Sequence, residues 1–199
     1  MNTKQYTASD LDEMIEVLNN DGVIAFRTDT VMGLLALANS KLAKSKLVEA
    51  KNRPKDKLFP IMVSSLEMMQ RYTVMTIRDI KLAEKHLPGA LTLILSLKDN
   101  SNIELDSETV AVRIVNDDLL ISLVEKLDSP IFLTSANLSN EPTTMLASEV
   151  YEIFAGKING VYMEDAAGYE ASTIVDLTSS EMKILRQGKI SLNELEEDE

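Results

Sequence analysis

Seven basic residues, Lys41, Lys44, Lys46, Lys51, Arg53, Lys55 and Lys57, crowd into 41–57 against two acids, Glu49 and Asp56. This island of local charge +5 sits in a chain whose 20 Lys and Arg face 32 Asp and Glu, for a net charge of −12. A small basic island on an acidic protein suits a discrete anion better than a long polyanion. Lys41, Lys44 and Lys46 read as a solvated helix face. Lys51-Asn52-Arg53-Pro54-Lys55 differs, because Pro54 breaks the helix and stiffens the loop that follows. Bases at alternate positions of an extended loop project to one side, as a phosphate clamp requires.

Three further segments put polar chemistry at strand ends. Arg27-Thr-Asp-Thr-Val-Met-Gly33 leaves a strand directly, and its Thr and Asp can cap, turn or bind a polar ligand. Arg113 interrupts the apolar strand Val110–Val115 on the face of Ala111 and Val115. A guanidinium so placed needs an anion, either an internal carboxylate or the carboxylate of a ligand held bidentately. Thr134-Ser-Ala-Asn-Leu-Ser139 offers hydroxyls and an amide, which serve equally as a Ser/Asn turn or as contacts to a phosphate, ribose or base edge. Ala171–Asp176 and Leu185–Gly188 are weaker signals of the same kind.

The inventory also excludes. The 199 residues contain no cysteine, which removes disulfides, thiolate metal sites and cysteine nucleophiles. The one histidine, His86, rules out a multi-histidine metal site and reads as a dipole partner at a helix C-terminus. Neither a GxxxxGK[ST] loop nor a GxGxxG turn is present, so a bound nucleotide would be held by another route. The chemistry rests on Lys, Arg, Ser, Thr, Asn and carboxylates.

The elements that must position these residues follow from periodicity. Helices are predicted from the Ser9 N-cap to Asn20, over Lys41–Lys51, Thr76–Leu87, Asp117–Leu127 and Ala147–Phe154. Strands are predicted at Val23–Phe26, Pro60–Val63, Leu91–Leu97, Thr109–Val115, Ile131–Leu133, Val161–Met163, Thr173–Leu177 and Met182–Leu185. Interleaving of the two makes the class α/β, with a mixed sheet rather than a purely parallel one. No linker, repeat or low-complexity segment divides the chain, so residues 1–199 are expected to be a single domain with an acidic tail at 189–199. No signal peptide or membrane span is expected, and the location is expected to be cytoplasmic.

In this order the segments resemble the YrdC family, the threonylcarbamoyl-AMP synthases, in a short, single-domain form. The resemblance rests on Thr28-Asp-Thr-Val-Met-Gly-Leu34, Lys51-Asn-Arg53-Pro, Pro88-Gly-Ala-Leu-Thr92, Val110-Ala-Val-Arg113, Ser135-Ala-Asn137-Leu-Ser, Ser172-Thr-Ile-Val-Asp176 and Ile184-Leu-Arg186-Gln-Gly188, across 22–188. It implies an open, twisted mixed sheet with flanking helices around a concave cavity. The activity it implies makes threonylcarbamoyl-AMP and pyrophosphate from L-threonine, bicarbonate and ATP, with Mg²⁺ carried by the ATP. The product would pass to the machinery that modifies adenosine 37 of tRNA. By the same resemblance Lys51, Arg53 and Lys55 face the ATP phosphates, the first two as catalytic residues. Thr109, Ser135, Asn137, Thr143 and Arg186 fall on nucleotide positions, and Thr28, Arg113 and Ser172 on threonine positions, Arg113 anchoring the carboxylate. No resident metal is implied.

The departures are Arg27 where the family has Pro, Met32 where it has Tyr, Asn140 where it has Gly, and no His at the position loosely matched by Ser64. Met32 is expected to repack the pocket wall. The sequence stops just past Gly188, so the longer family branch's extra domain is expected to be absent. The alternatives are a paralogue of the same fold that binds nucleotide or double-stranded RNA without synthase activity, and a carbamoyl-adenylate-forming domain acting on another acceptor. The charge of −12 argues against strong non-specific RNA affinity.

Overall fold

The structure, a computed structural model, describes residues 2–54, 57–168 and 171–191. The helices begin where short polar side chains cap them. Ser40 accepts from Ala43 N at 3.1 Å to open α2 (Lys41–Lys51), and Asp117 accepts from Leu120 N at 2.9 Å to open α5 (Asp118–Leu127). Thr76 and Asp79 form a reciprocal capping box at α4 (Ile77–His86). The first helix starts later than Ser9: Thr7 and Asp10 box a single 3₁₀ turn, and α1 runs Leu11–Asn19. Short α3 (Leu66–Tyr72) and α6 (Ala147–Phe154) complete the set.

Among the described residues eleven strands join one mixed sheet. They are β1 (Lys4–Tyr6), β2 (Ile24–Phe26), β3 (Gly33–Leu37), β4 (Ile61–Met62), β5 (Thr73–Val74), β6 (Leu91–Leu97), β7 (Thr109–Arg113), β8 (Ile131–Ser135), β9 (Gly160–Tyr162), β10 (Thr173–Asp176) and β11 (Lys183–Arg186). Their order is β1-β9-β2-β3-β8-β4-β7-β6-β10-β11, with β5 alongside β6. β4 runs parallel to β7 and β6 parallel to β10, while β3–β8, β6–β7 and β10–β11 are antiparallel.

The middle of the sheet is apolar on both faces: every residue of β2 and β3 is buried. Helices α1 and α2 pack on β3, and α1 also packs on α5. One apolar cluster runs from Tyr6 through Leu35, Phe132 and Val161 to Leu177. Strand alternation then turns a second set of residues toward a concave face: Thr92 and Ile94 of β6, Thr109, Ala111 and Arg113 of β7, Leu133 and Ser135 of β8. The α/β class, the mixed sheet and the concave cavity are thus as expected. No helix among the described residues is long and apolar enough to cross a membrane. Lys55 and the tail beyond 191 lie outside the described residues.

Candidate active site

The concave face encloses a cavity of about 500 Å³. Among the described residues its wall holds three arginines, Arg53, Arg113 and Arg186, and no Asp or Glu. Burial pulls all three guanidiniums below the usual arginine value, and Arg186 lowers Arg113 further by charge repulsion. A concave cluster of like charges, with Arg113 buried and Arg53 and Arg186 more open, is suited to receive an anion.

At one end the loop after β2 closes on itself. The Thr28 hydroxyl donates to Val31 O at 2.7 Å and lies 2.9 Å from the Thr30 hydroxyl. The segment after β9 fixes this loop from outside, Ala167 N donating to Thr28 O at 3.1 Å and Gly168 N to Thr30 O at 3.0 Å. A side chain at Gly168 would stand 2.8 Å from Asp29 O, so the close approach needs glycine. Against the loop stands Arg113, 7% exposed at the end of β7. Its Nη2 donates to Asp29 Oδ1 at 2.6 Å and to Gly89 O at 3.0 Å, and its buried Nε has no partner. Of the alternatives left open for this arginine, the internal carboxylate is present as Asp29, while Nη1 lies 3.5 Å from Thr30 Oγ1.

Arg186 of β11 covers the next stretch of wall. Its Nε and Nη2 donate to Ser172 O at 3.1 and 2.8 Å, and Nη2 reaches Ser172 Oγ at 3.2 Å. The Ser172 hydroxyl lies 2.8 Å from that of Thr92 on β6. Gly188 makes this corner possible, since a Cβ there would stand 2.1 Å from Ala171 O while its N–H donates to Thr173 Oγ1 at 2.9 Å. Thr109, Ser135 and Thr143 also line the cavity.

The basic loop departs from the one-sided clamp its spacing suggests. Helix α2 ends at Lys51, and Asn52 follows in the left-handed region at φ 50°. That turn sends the two bases in different directions. Arg53 reaches the cavity wall, donating from Nη2 to Leu58 O at 2.8 Å and from Nε to Lys57 O at 3.2 Å, with its guanidinium 4.6 Å from the Phe59 ring centre. Lys51 instead turns inward and is 1% exposed. Its Nζ donates to Ser135 O, to Asn137 O at 2.7 Å and to Asn137 Oδ1 at 3.2 Å. Burial, with the charge of Arg53 adding to it, pushes the ammonium down to about 7. Asn137 is likewise withdrawn from the wall: its Oδ1 accepts from Ser135 Oγ at 2.5 Å and its Nδ2 donates to Glu141 O at 2.5 Å.

Of the residues singled out in the sequence, Thr28, Arg53, Thr109, Arg113, Ser135, Thr143, Ser172 and Arg186 converge on one cavity, whereas Lys51 and Asn137 stand behind its wall. The sequence reads Asp29 as a cap, turn or polar-ligand residue and places Gly89 and Thr92 only within a motif; it pairs none of them with Arg113 or Ser172. Asp29 had a legible signal, because a strand arginine facing a core demands a carboxylate and Asp29 is the acid in the neighbouring strand-end motif. Among the described residues no group of three or more His, Asp or Glu is arranged to hold a metal ion.

Comparison with known proteins agrees with this geometry. The threonylcarbamoyl-AMP synthase of Pyrococcus abyssi is 35% identical over 179 residues, covering 87% of this chain and 52% of its own length. That of Psychromonas ingrahamii is 30% identical, covering 73% of this chain and 79% of its own. The crystal structure of P. abyssi Sua5 complexed with L-threonine superposes with a TM-score of 0.90 at 29% identity, over 100% of this chain and 61% of that one. The chain spans about half the length of the first relatives it matches, 52%, 53% and 54%. The Sua5/YciO/YrdC family model, described as "Telomere recombination", matches residues 16–188, which takes in every wall of the cavity. With fold, cavity and motif order in agreement over that span, the chain belongs to the Sua5/YciO/YrdC family.

Proposed function

We propose that the chain makes threonylcarbamoyl-AMP and pyrophosphate from L-threonine, bicarbonate and ATP, for the threonylcarbamoyl modification of adenosine 37 in tRNA. The observation that carries this reading is a cavity whose described wall brings together Arg53, Arg113 and Arg186 in a chain of charge −12. Relatives named threonylcarbamoyl-AMP synthase and a relative's complex with L-threonine support it.

In this reading Arg113 takes the threonine carboxylate through the part of its fork that Asp29 leaves unused, beside the Thr28 and Ser172 hydroxyls. The neutral threonine amine joins bicarbonate carbon, water leaves, and a carbamate forms. A carbamate oxygen then attacks the α-phosphorus of ATP and the bond to pyrophosphate breaks. Neither step needs a protein nucleophile; alignment and charge neutralisation supply the acceleration. Arg53 and Arg186 face the phosphates, with Thr109, Ser135 and Thr143 on the nucleotide. Mg²⁺ enters on the triphosphate as part of the substrate, as a hard cation does on phosphate oxygens. The product passes to the transferase machinery of tRNA modification, in the cytoplasm.

Incubation with ATP, bicarbonate and threonine, followed by product analysis, is expected to give threonylcarbamoyl-AMP and threonine-dependent pyrophosphate release. Arg53→Ala should cut turnover at saturating ATP by about tenfold or more, because a charge-assisted contact of ~1.5–3 kcal/mol grows as charge builds on the departing pyrophosphate. A protein that binds ATP or duplex RNA yet forms no product would instead be the non-synthase paralogue.

A further inference from the structure

Lys51, at 1% exposure, is the most deeply buried charged side chain among the described residues, and its surroundings are unlike those of a phosphate ligand. It is not on the cavity wall, and an ammonium has three N–H groups to give. All three are accounted for by Ser135 O, Asn137 O and Asn137 Oδ1, on the segment that leaves β8. The tie is doubled in the opposite sense, because Lys51 O accepts from Ser139 N at 3.0 Å. One residue at the end of α2 thus grips the 135–139 segment by both its side chain and its main chain.

What hangs from this grip is the polar lip of the cavity. Ser135 lines the wall, and its hydroxyl donates to the same Asn137 Oδ1 that Lys51 engages. Asn137 in turn holds Glu141 O through Nδ2, and Thr143 on the wall follows two residues later. Reaching a phosphate would cost Lys51 these contacts and leave Asn137 O, which it holds at 2.7 Å, without that donor.

We infer that Lys51 is a positioning residue: from behind the wall it holds the Ser135–Ser139 segment in the shape that receives the nucleotide, while Arg53 makes the direct phosphate contact. The assignment of the lip to a nucleotide rests on the synthase reading; the grip itself does not.

The wild-type protein supplies the first test. Reductive methylation followed by peptide mass analysis should leave Lys51 unmodified with or without ATP, while exposed Lys41 reacts in both. Lys51 methylated in the free protein and protected by ATP would overturn the inference in favour of a phosphate ligand. The second test is Lys51→Met, which keeps the length and removes the donors. In the ligand-free variant, amides within 134–141 should exchange about tenfold faster while those of β2 and β3 stay protected. Unchanged exchange across 134–141 would overturn it. The kinetic arm separates positioning from general damage: the KM for ATP should rise about tenfold, with the KM for threonine within twofold of wild type. A wild-type protein that neither binds ATP nor forms product would remove the synthase reading, while methylation and exchange would still judge the grip.

Discussion

At the scale of single residues the site is a contest between burial and charge. Arg113 illustrates it: one guanidinium nitrogen is neutralised by Asp29, and Nε is desolvated without reward. In the proposed reading a ligand carboxylate meets this guanidinium, so Arg113→Ala should raise the threonine requirement by about 10–150-fold, the worth of a charged hydrogen bond of ~1.5–3 kcal/mol. Initial rates against threonine concentration measure this, and an unchanged KM in a folded variant would dismiss Arg113 as the anchor. Lys51 makes the opposite case, a charge whose partners do not offset its burial. Its folded value of about 7 lies below the ordinary 10.5, so between those limits the unfolded chain binds the extra proton. Stability contributed by this group therefore rises with pH above about 7, and is lost as pH falls back through that value. Urea unfolding at pH 6.5 and 8.5 should show wild type gaining on Lys51→Met at the higher pH; a constant difference would mean that the ammonium does not titrate there. Residue types and loop stiffness were legible in the sequence for Lys51-Asn52-Arg53. The directions were not, because they hang on the left-handed Asn52, whose φ of 50° no spacing rule announces.

At the scale of elements, the sequence was readable where caps and periodicity agree. Helix α2 has the predicted limits, Lys41–Lys51, because Ser40 caps it and a Pro follows closely. Strand β3 went unread: Gly33-Leu-Leu-Ala-Leu37 is buried throughout, so it shows no alternation, and its glycine resembled the end of a turn. Helix α3 has seven residues and β5 two, both below the length at which a pattern repeats. What joins the elements around the Thr28–Thr30 loop was hidden as well. Arg27, at the exit of β2, donates from Nε to Asp117 Oδ2 at 2.7 Å and from Nη1 to Glu164, and lies 5.5 Å from the Tyr162 ring centre. Asp117 also caps α5, and Glu164 begins the segment that fixes the Thr28–Thr30 loop. One side chain thus ties β2, β9 and α5. With Asp117 nearly buried and Glu164 half exposed, the tie falls between a surface ion pair and a buried charged hydrogen bond. Arg27→Ala should cost ~1–2 kcal/mol in chemical denaturation, and Arg27→Lys should recover only part, lacking the fork that spans two carboxylates. Equal stability of Arg27→Lys and wild type would reduce the tie to a point charge.

At the scale of the whole molecule, an acidic exterior surrounds a cationic cavity, and the separation of signs decides what the protein can hold. The basic island at 41–57 suits a discrete anion rather than a polyanion already in the sequence, and the fold disperses it further. Lys46 donates to Asp21 O at 2.9 Å, Lys44 stands 3.8 Å from Asp106, Lys51 is buried and Arg53 faces the cavity. Few of its charges are left to neutralise phosphates along a duplex, and each phosphate contact not made removes a released counterion from the affinity. The remaining surface, in a chain of −12, repels a polyanion. A small anion escapes that repulsion by entering the cavity, where low-dielectric walls focus the field of Arg53, Arg113 and Arg186. The same chain should therefore bind ATP and reject RNA. Gel-shift titration with tRNA and with duplex RNA at physiological salt is expected to give no complex below about 1 μM, since non-specific affinities run to ~10⁻⁴–10⁻⁶ M even for basic proteins. Raising the salt should leave that outcome unchanged, because there is no electrostatic binding to screen. A tight complex that weakens steeply with salt would show that the island reassembles on the surface, and would turn the reading toward an RNA-binding member of the family.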